Sequence, residues 1–495
     1  MDENDSRRSV RWDLDNARQN YLALIVAQGG LAAASFLCVW VITHALGVEP
    51  YGNIAAFMAG AQLAQVALWW TLNAMVRFGV QEFIESGQIS HSFWSRTIVL
   101  VVNMALFFGT APLWLPYFAN AFKLPADIIP TILAYLFVTA IWMHLQFGMQ
   151  ASKLPIRLAL GQMTERILTL LVISFLAVSG TLTWQYAALA YVISPCILIL
   201  FGVYSLRSLV DWRFWRFGID TGLIKRILTY SIPIPLISLL SPLALNYVGT
   251  LFILHYLTKA DLGAYSVALQ FYGLIMILPT LAGSLMTPLF ISSRSSEGGK
   301  NLTAVFLKDV LPTVMVLFSI GSTILAVGMY FILPIVFGEQ VTGVVGVLFV
   351  LILAGVVAAP VMMGFFPLSL SKDSTAIQLI PATLSCLALI LANFVLVPRF
   401  GLMGSAWAMV IAYAVILVTF SWLMHRGQGL GPSKTLIVAA AGVAGSLALT
   451  FGASVIIAAL VVYGCLLFIV LLDPYTYQRG FFRLRTIWRN KPIIP

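Results

Sequence analysis

Arg77, one helical turn beyond Asn73 in LNAMVRFGVQE (72–82), is the residue best suited to grip an anionic ligand. A guanidinium presents a planar fork of donors that meets a phosphate with two charge-assisted hydrogen bonds. Arg294, Arg157 and Arg166 are three further candidates of the same type, each near the expected end of an apolar run. Each also has a plainer reading as a cation that snorkels to the membrane surface and sets topology. Gln62, Gln65, Asn73, His144, Gln146, Gln150, Asn246 and Gln270 are polar groups within or near apolar runs. Such amides bind sugars, but interhelical hydrogen bonding is their commoner use.

These groups need elements that hold them in an apolar chain. Apolar residues make up 60% of the 495 residues and charged residues 9%, with mean hydropathy +0.96. A soluble domain runs near 45–50% and 25%, so the chain reads as an all-α integral membrane protein. A spanning helix needs about 20 apolar residues. Apolar runs between polar punctuation predict fourteen spans, at 21–46, 52–79, 97–119, 126–149, 161–181, 184–206, 227–257, 262–292, 309–336, 343–369, 375–397, 402–424, 435–452 and 455–472. The first apolar run outlasts the core of a signal peptide and is expected to be kept.

Charge then orients the spans. With the N-terminus inside, all but three of the 28 Lys and Arg fall on inner segments; the exceptions are Lys123, Lys259 and Arg399. That bias in short loops is the positive-inside pattern, and it predicts both termini in the cytoplasm. The net charge of +10 is thereby explained by topology and contact with anionic lipids, without nucleic acid. Residues 207–222 and 477–491 mix Arg with Trp and Phe. They suit amphipathic helices on the inner leaflet, or aromatic anchors with stop-transfer charge.

The chain carries an internal repeat. A shift of 211 residues lays Ile42, His44, Leu46 and Gly52 on Ile253, His255, Leu257 and Gly263. A shift of 218 lays Ala188, Ala190, Val192 and Ile193 on Ala406, Ala408, Val410 and Ile411. Six spans per half give both halves one orientation, as in parallel-repeat transporters. The expected organisation is a cytoplasmic tail 1–20, an N-lobe 21–206 and a cytoplasmic amphipathic linker 207–226. A C-lobe 227–424, a final helix pair 425–472 and a basic cytoplasmic tail 473–495 follow.

Other chemistries lack their residues. Cys38, Cys196, Cys386 and Cys465 lie in apolar runs with no disulfide or zinc spacing, and the five His cluster with neither acids nor Cys. SEGGKN (296–301) lacks the spacing of a phosphate loop, so a primary pump is not expected. Outer loops are too short to hold an acceptor for a glycan-assembly enzyme.

The turn LVPRFGLMGSAWA (396–408), LGVEPYGNIAAF (46–57), LTKADLGAYSVAL (257–269), LNAMVRFGVQE and VFGEQ (336–340) carry a resemblance. Over residues 20–425 the chain resembles the polysaccharide-exporter branch of the MATE-like multidrug/oligosaccharidyl-lipid/polysaccharide superfamily, the Wzx-type flippases. The resemblance implies two six-helix lobes in a V-shaped, alternating-access transporter of a bacterial inner membrane. It implies no enzyme activity and no cofactor, with H+ or Na+ coupling at an unassigned site. The implied cargo is an undecaprenyl-pyrophosphate-linked oligosaccharide, turned toward the outer leaflet in concert with membrane lipids and other polysaccharide-assembly proteins. Drug exporters of the superfamily commonly hold an acid in helix one or seven, where this chain offers Gln28 and Asn246. No Asp or Glu is expected near the centre of any span, which counts against a cation-coupled drug exporter.

Overall fold

The computed structural model describes residues 26–213, 220–232, 242–294, 305–338, 343–370, 376–428 and 433–488. The tail 1–20, SEGGKN, residues 214–219 of the expected linker 207–226, and residues 233–241 lie outside them. The chain forms two compact units, Met1–Ser238 and Leu239–Pro495. Among the described residues every regular element is helical.

The first unit holds α1 (Val26–Leu46), α2 (Val48–Trp69), α3 (Leu72–Ser86), α4 (Ser90–Gly109), α5 (Ala111–Ala121), α6 (Ile129–Ala151), α7 (Pro155–Val178), α8 (Trp184–Leu206) and α9 (Thr221–Ser231). Local chemistry sets the breaks. Gly47 joins α1 to α2 at φ 92, and Gly87 ends α3 at φ 71, both in the region that only Gly enters without strain. The Glu82 carboxylate accepts from the backbone N–H groups of His91 (2.8 Å) and Ser92 (2.7 Å), closing the turn into α4. Thr183 caps α8 by accepting from Tyr186 N (3.2 Å), and Asp220 caps α9 by accepting from Leu223 N (2.8 Å). Between α2 and α3 the axis bends by 46° at Trp70–Thr71.

Glycines set how closely α6, α7 and α8 approach. A Cβ on Gly202 would meet Leu145 at 2.9 Å and Trp142 at 3.2 Å, and one on Gly161 would meet Trp142 at 3.1 Å. Trp142 is 1% exposed, seated by two glycines on the neighbouring helices. Small residues at such crossings let membrane helices pack backbone to backbone.

The second unit holds α10 (Pro242–Tyr256), α11 (Lys259–Arg294), α12 (Leu311–Phe337), α13 (Val345–Pro360), α14 (Phe366–Leu370), α15 (Ala376–Gln428), α16 (Ser433–Thr450), α17 (Val455–Leu472) and α18 (Pro474–Trp488). Every residue of α13 except Gly346 is buried. A helix apolar on all sides belongs in a core, and α13 is the centre of this unit. The long α15 breaks at Gly401 (φ 56, ψ −133). A Cβ on Gly404 would meet the Leu396 carbonyl oxygen at 2.3 Å, and one on Gly249 would meet Ser405 Oγ at 3.0 Å. Gly404 thus lets the chain fold back on its own backbone at the turn, while α10 passes close at Ser405.

Among the described residues ten helices are long and apolar enough to cross a membrane, or eleven if the bent α2–α3 pair is one span. The fourteen expected spans differ for physical reasons. Two appear as the shorter apolar helices Tyr247–Tyr256 and Lys434–Thr450, and two are continuous in α15 across the Gly401 break. Residues 227–231, expected to open a span, finish the short α9 instead. Residues 207–213 form turns and irregular structure rather than a helix, and 214–219 of the expected stretch 207–222 lie outside the described residues. There the Asp211 carbonyl accepts from Trp94 Nε1 (2.8 Å), and Trp212 packs edge-on against Phe93 and Trp94.

Candidate functional site

The first unit holds three polar groups of side chains. The outermost lies on α3. Asn73 and Arg77 share an exposed face one turn apart, and α9 packs Leu223 and Ile227 against Ala74 beside them. That docking lays Tyr230 under the Arg77 guanidinium at 4.7 Å from its centroid, with Phe78 at 6.0 Å. A cation over an aromatic face is attracted to the ring quadrupole. Arg77 is exposed and forms no ion pair among the described residues.

The second group crosses the unit from α1 to α8. Gln28 Nε2 donates to Gln162 Oε1 (3.4 Å), and Gln162 Nε2 donates to Gln146 Oε1 (2.9 Å). One turn from each of these on α6 and α7, Trp142 Nε1 donates to Glu165 Oε2 (2.7 Å). Arg166 lies over the Tyr191 ring at 5.6 Å. Thr169 Oγ1 then donates to Ser194 Oγ (2.9 Å), tying α7 to α8. Gln28 and Arg166 therefore belong to one polar seam.

This placement corrects the expectation that no carboxylate lies near the middle of a span. Pro155 opens α7, as its fixed φ and missing N–H suit a first helical position. The helix starts six residues before the expected boundary at 161. Glu165 and Arg166 become the eleventh and twelfth residues of a 24-residue helix. Glu165 is half-buried rather than at a water-exposed end.

The third group centres on Arg96, counted from sequence among inner-loop charges. It is the seventh residue of α4 and 0% exposed. Its Nε donates to Thr71 Oγ1 (3.4 Å) and its Nη1 to His144 Nδ1. His144 Nε2 pairs with Thr97 Oγ1 (2.8 Å), whose hydroxyl proton goes to the Phe93 carbonyl (2.8 Å). That chain fixes the proton of His144 on Nε2 and its lone pair toward Arg96. Phe93 covers the imidazole at 4.4 Å. The polar run SHSFWSRT disguised Arg96 as a loop residue; only the fold buries it.

The remaining candidates do not join these groups. Arg157 is exposed and donates from Nη1 to the Ser205 carbonyl (3.0 Å) near the end of α8, where a cation complements the helix dipole. Gln270 is exposed on α11. Arg294 and Asn246 fall on α11 and α10, and their side chains lie outside the described residues. No group of three metal-ligating side chains occurs among the described residues.

No family profile and no curated protein sequence matches the chain. Solved structures do. The lipid II flippase MurJ, in an inward closed conformation, aligns with TM-score 0.63 and 15% identity over 91% of this chain and 98% of that one. An inward-facing multidrug-resistance MATE transporter of the MOP superfamily aligns with TM-score 0.63 and 14% identity, over 82% and 98%. A MOP superfamily transporter from Pyrococcus furiosus with a binding pocket of reversed polarity aligns with TM-score 0.57 and 15% identity, over 83% and 95%. The chain has the fold these transporters share, and none of these neighbours is an enzyme.

Proposed function

We propose that the protein is a MOP-type transporter that turns an anionic, lipid-linked glycan from the cytoplasmic to the outer leaflet of a bacterial inner membrane, for surface polysaccharide synthesis. The observation that carries this reading is Arg77: a guanidinium stacked on Tyr230, exposed, and paired with no carboxylate among the described residues. Such a group is preset for two-pronged capture of a phosphate, the part of an undecaprenyl-pyrophosphate cargo that cannot stay in lipid. Asn73 on the same face and the Gln28–Gln162–Gln146 seam offer the amides that sugar hydroxyls require. The lipid II flippase among the structural neighbours supports a lipid-linked cargo. Both termini are cytoplasmic in this reading, as the Lys and Arg bias indicates, and other assembly proteins supply and remove the cargo.

The test uses the host strain with its gene deleted. Intact lipid-linked repeat units should accumulate on the cytoplasmic leaflet, with surface glycan lost. Complementation with Arg77→Ala should leave the protein in the membrane but restore no glycan. Arg77→Lys should restore it partly if charge alone matters, and not at all if the fork does. Full glycan from Arg77→Ala removes Arg77 from the site.

Glu165 favours a second reading, a cation-coupled multidrug exporter. A carboxylate near the middle of a membrane helix is costly and is usually kept for function. If deletion accumulates no glycan intermediate but sensitises cells to cationic dyes, and Glu165→Gln reproduces that sensitivity, the exporter reading replaces the flippase.

A further inference from the structure

The bend between α2 and α3 has unusual chemistry around it. Arg96 is wholly buried beside it, and its Nη2 has no hydrogen-bond partner; the Trp69 Nε1, at the end of α2, is also buried without one. The N-terminus of α3 opens at the same point, and its N-cap residue, Thr71, gives the helix no side-chain cap. Its hydroxyl accepts from Arg96 Nε instead. The first turn of a helix carries backbone N–H donors without intrahelical partners and the positive end of the helix dipole.

Nothing described in the unit balances this charge. Arg96 forms no ion pair, and its hydrogen-bonded partners are a hydroxyl and an imidazole. The imidazole is neutral, because Nδ1 accepts from Arg96 while Nε2 pairs with Thr97. A buried guanidinium without a counter-charge is strongly unfavourable. A water molecule would satisfy the orphan Nη2 donor but leave the charge uncompensated. An anion satisfies both. Arg96 lies about 9 Å inside the end of α4, taking 1.5 Å per residue, and is sealed from solvent. That excludes a lipid phosphate or a glycan pyrophosphate, and leaves a small monovalent anion.

We propose that the protein binds chloride, or a halide of similar size, at the α2–α3 bend, held by Arg96 Nη2 and the N-terminus of α3. The anion ties the start of α3 to α4 and, through His144, to α6. It thereby sets the angle at which α3 presents Asn73 and Arg77. The site does not depend on the nature of the cargo.

The experiment uses the full-length protein in lipid nanodiscs, unfolded by heat in sodium chloride or sodium gluconate at one ionic strength. Chloride should raise Tm by a few degrees along a saturating curve, and bromide should replace it. Arg96→Met should lose this response. Equal Tm values in the two salts, or a chloride response that survives in Arg96→Met, would overturn the proposal. Should Arg96→Met fail to fold, crystals of the unaltered protein grown in sodium bromide decide the matter. An anomalous bromine peak in contact with Arg96 Nη2 supports the site; a water molecule there, or no peak, refutes it.

Discussion

In the first unit a buried guanidinium, a buried imidazole and amides from three helices share the interior. In the second, the interior is α13 and the apolar faces packed on it. Among the described residues of the second unit no charged side chain is buried. Several of its buried polar side chains turn back on their own helices: Thr323 to the Ser319 carbonyl, Ser446 to Gly442, and the amide of Asn393 to Leu389. Its most polar interior contacts are the Tyr272–Tyr413 hydroxyl pair at 2.7 Å and Ser405 with Tyr265 at 3.3 Å. A hydroxyl bonded within its own helix needs nothing from the fold. A Gln bonded to a residue 134 positions away, as Gln28 is to Gln162, needs all of it. Polar side chains that depend on tertiary structure are expensive in a membrane protein, and their concentration in one unit is what the proposed binding chemistry rests on. The other unit is built for packing.

The largest predicted effect tests the dry side of this contrast. Leu353 is 0% exposed and its side chain faces Gly445 of α16. Leu353→Asn removes apolar volume and buries an amide with no partner, at a cost of about 3–5 kcal/mol. Denaturation in a lipid–detergent mixture measures it. A loss below about 1 kcal/mol would mean that this interior is hydrated, and the contrast would fall.

The next effect tests the polar side. His144→Leu leaves Arg96 Nη1 without its acceptor, and hydrogen bonds to charged groups contribute about 1.5–3 kcal/mol. Ser446→Ala in the second unit removes only a bond within one helix and should cost under about 1 kcal/mol. Equal losses would show that the two interiors tolerate polar groups alike.

The same difference governs what could be read from the chain alone. Helices made by composition were legible: 184–206 and 455–472 coincide with α8 and α17, and the break near Gly401 was visible as Pro398, Gly401 and Gly404. Sites made by packing were not. Arg96 looked like loop charge because Ser90, Ser92 and Ser95 surround it, and only the approach of α6 turns it inward. Glu165 looked peripheral because LPIR after Lys153 resembles a loop, although Pro155 is a helix opener. Arg77 was legible as a cation near a span end. The residue it stacks on, Tyr230, lies 153 positions away on a helix whose docking no local pattern announces.

The smallest effect examines an ion pair in the second unit. Lys434, at the start of α16, pairs with Asp473 and also donates to Thr476 at the start of α18. The pair sits at the rim, with the two side chains 41% and 39% exposed. Its hydrogen bond from Lys434, then one from Thr476, holds the Asp473 carboxyl below the usual range. A carboxyl whose pKa is lowered on folding adds stability above its unfolded value, about 3.9, and loses it as pH falls through the lower folded value. Exposure and salt screening reduce that contribution to about 0.5 kcal/mol. Lys434→Met should therefore differ from the parent by about that much at pH 7, and by less at high salt. The two should converge as the medium is acidified below pH 4. A loss as large as that of His144→Leu would place a working charge in the second unit. Charge would then have to be counted as part of the architecture of both units, and the polar interior of the first would no longer single it out.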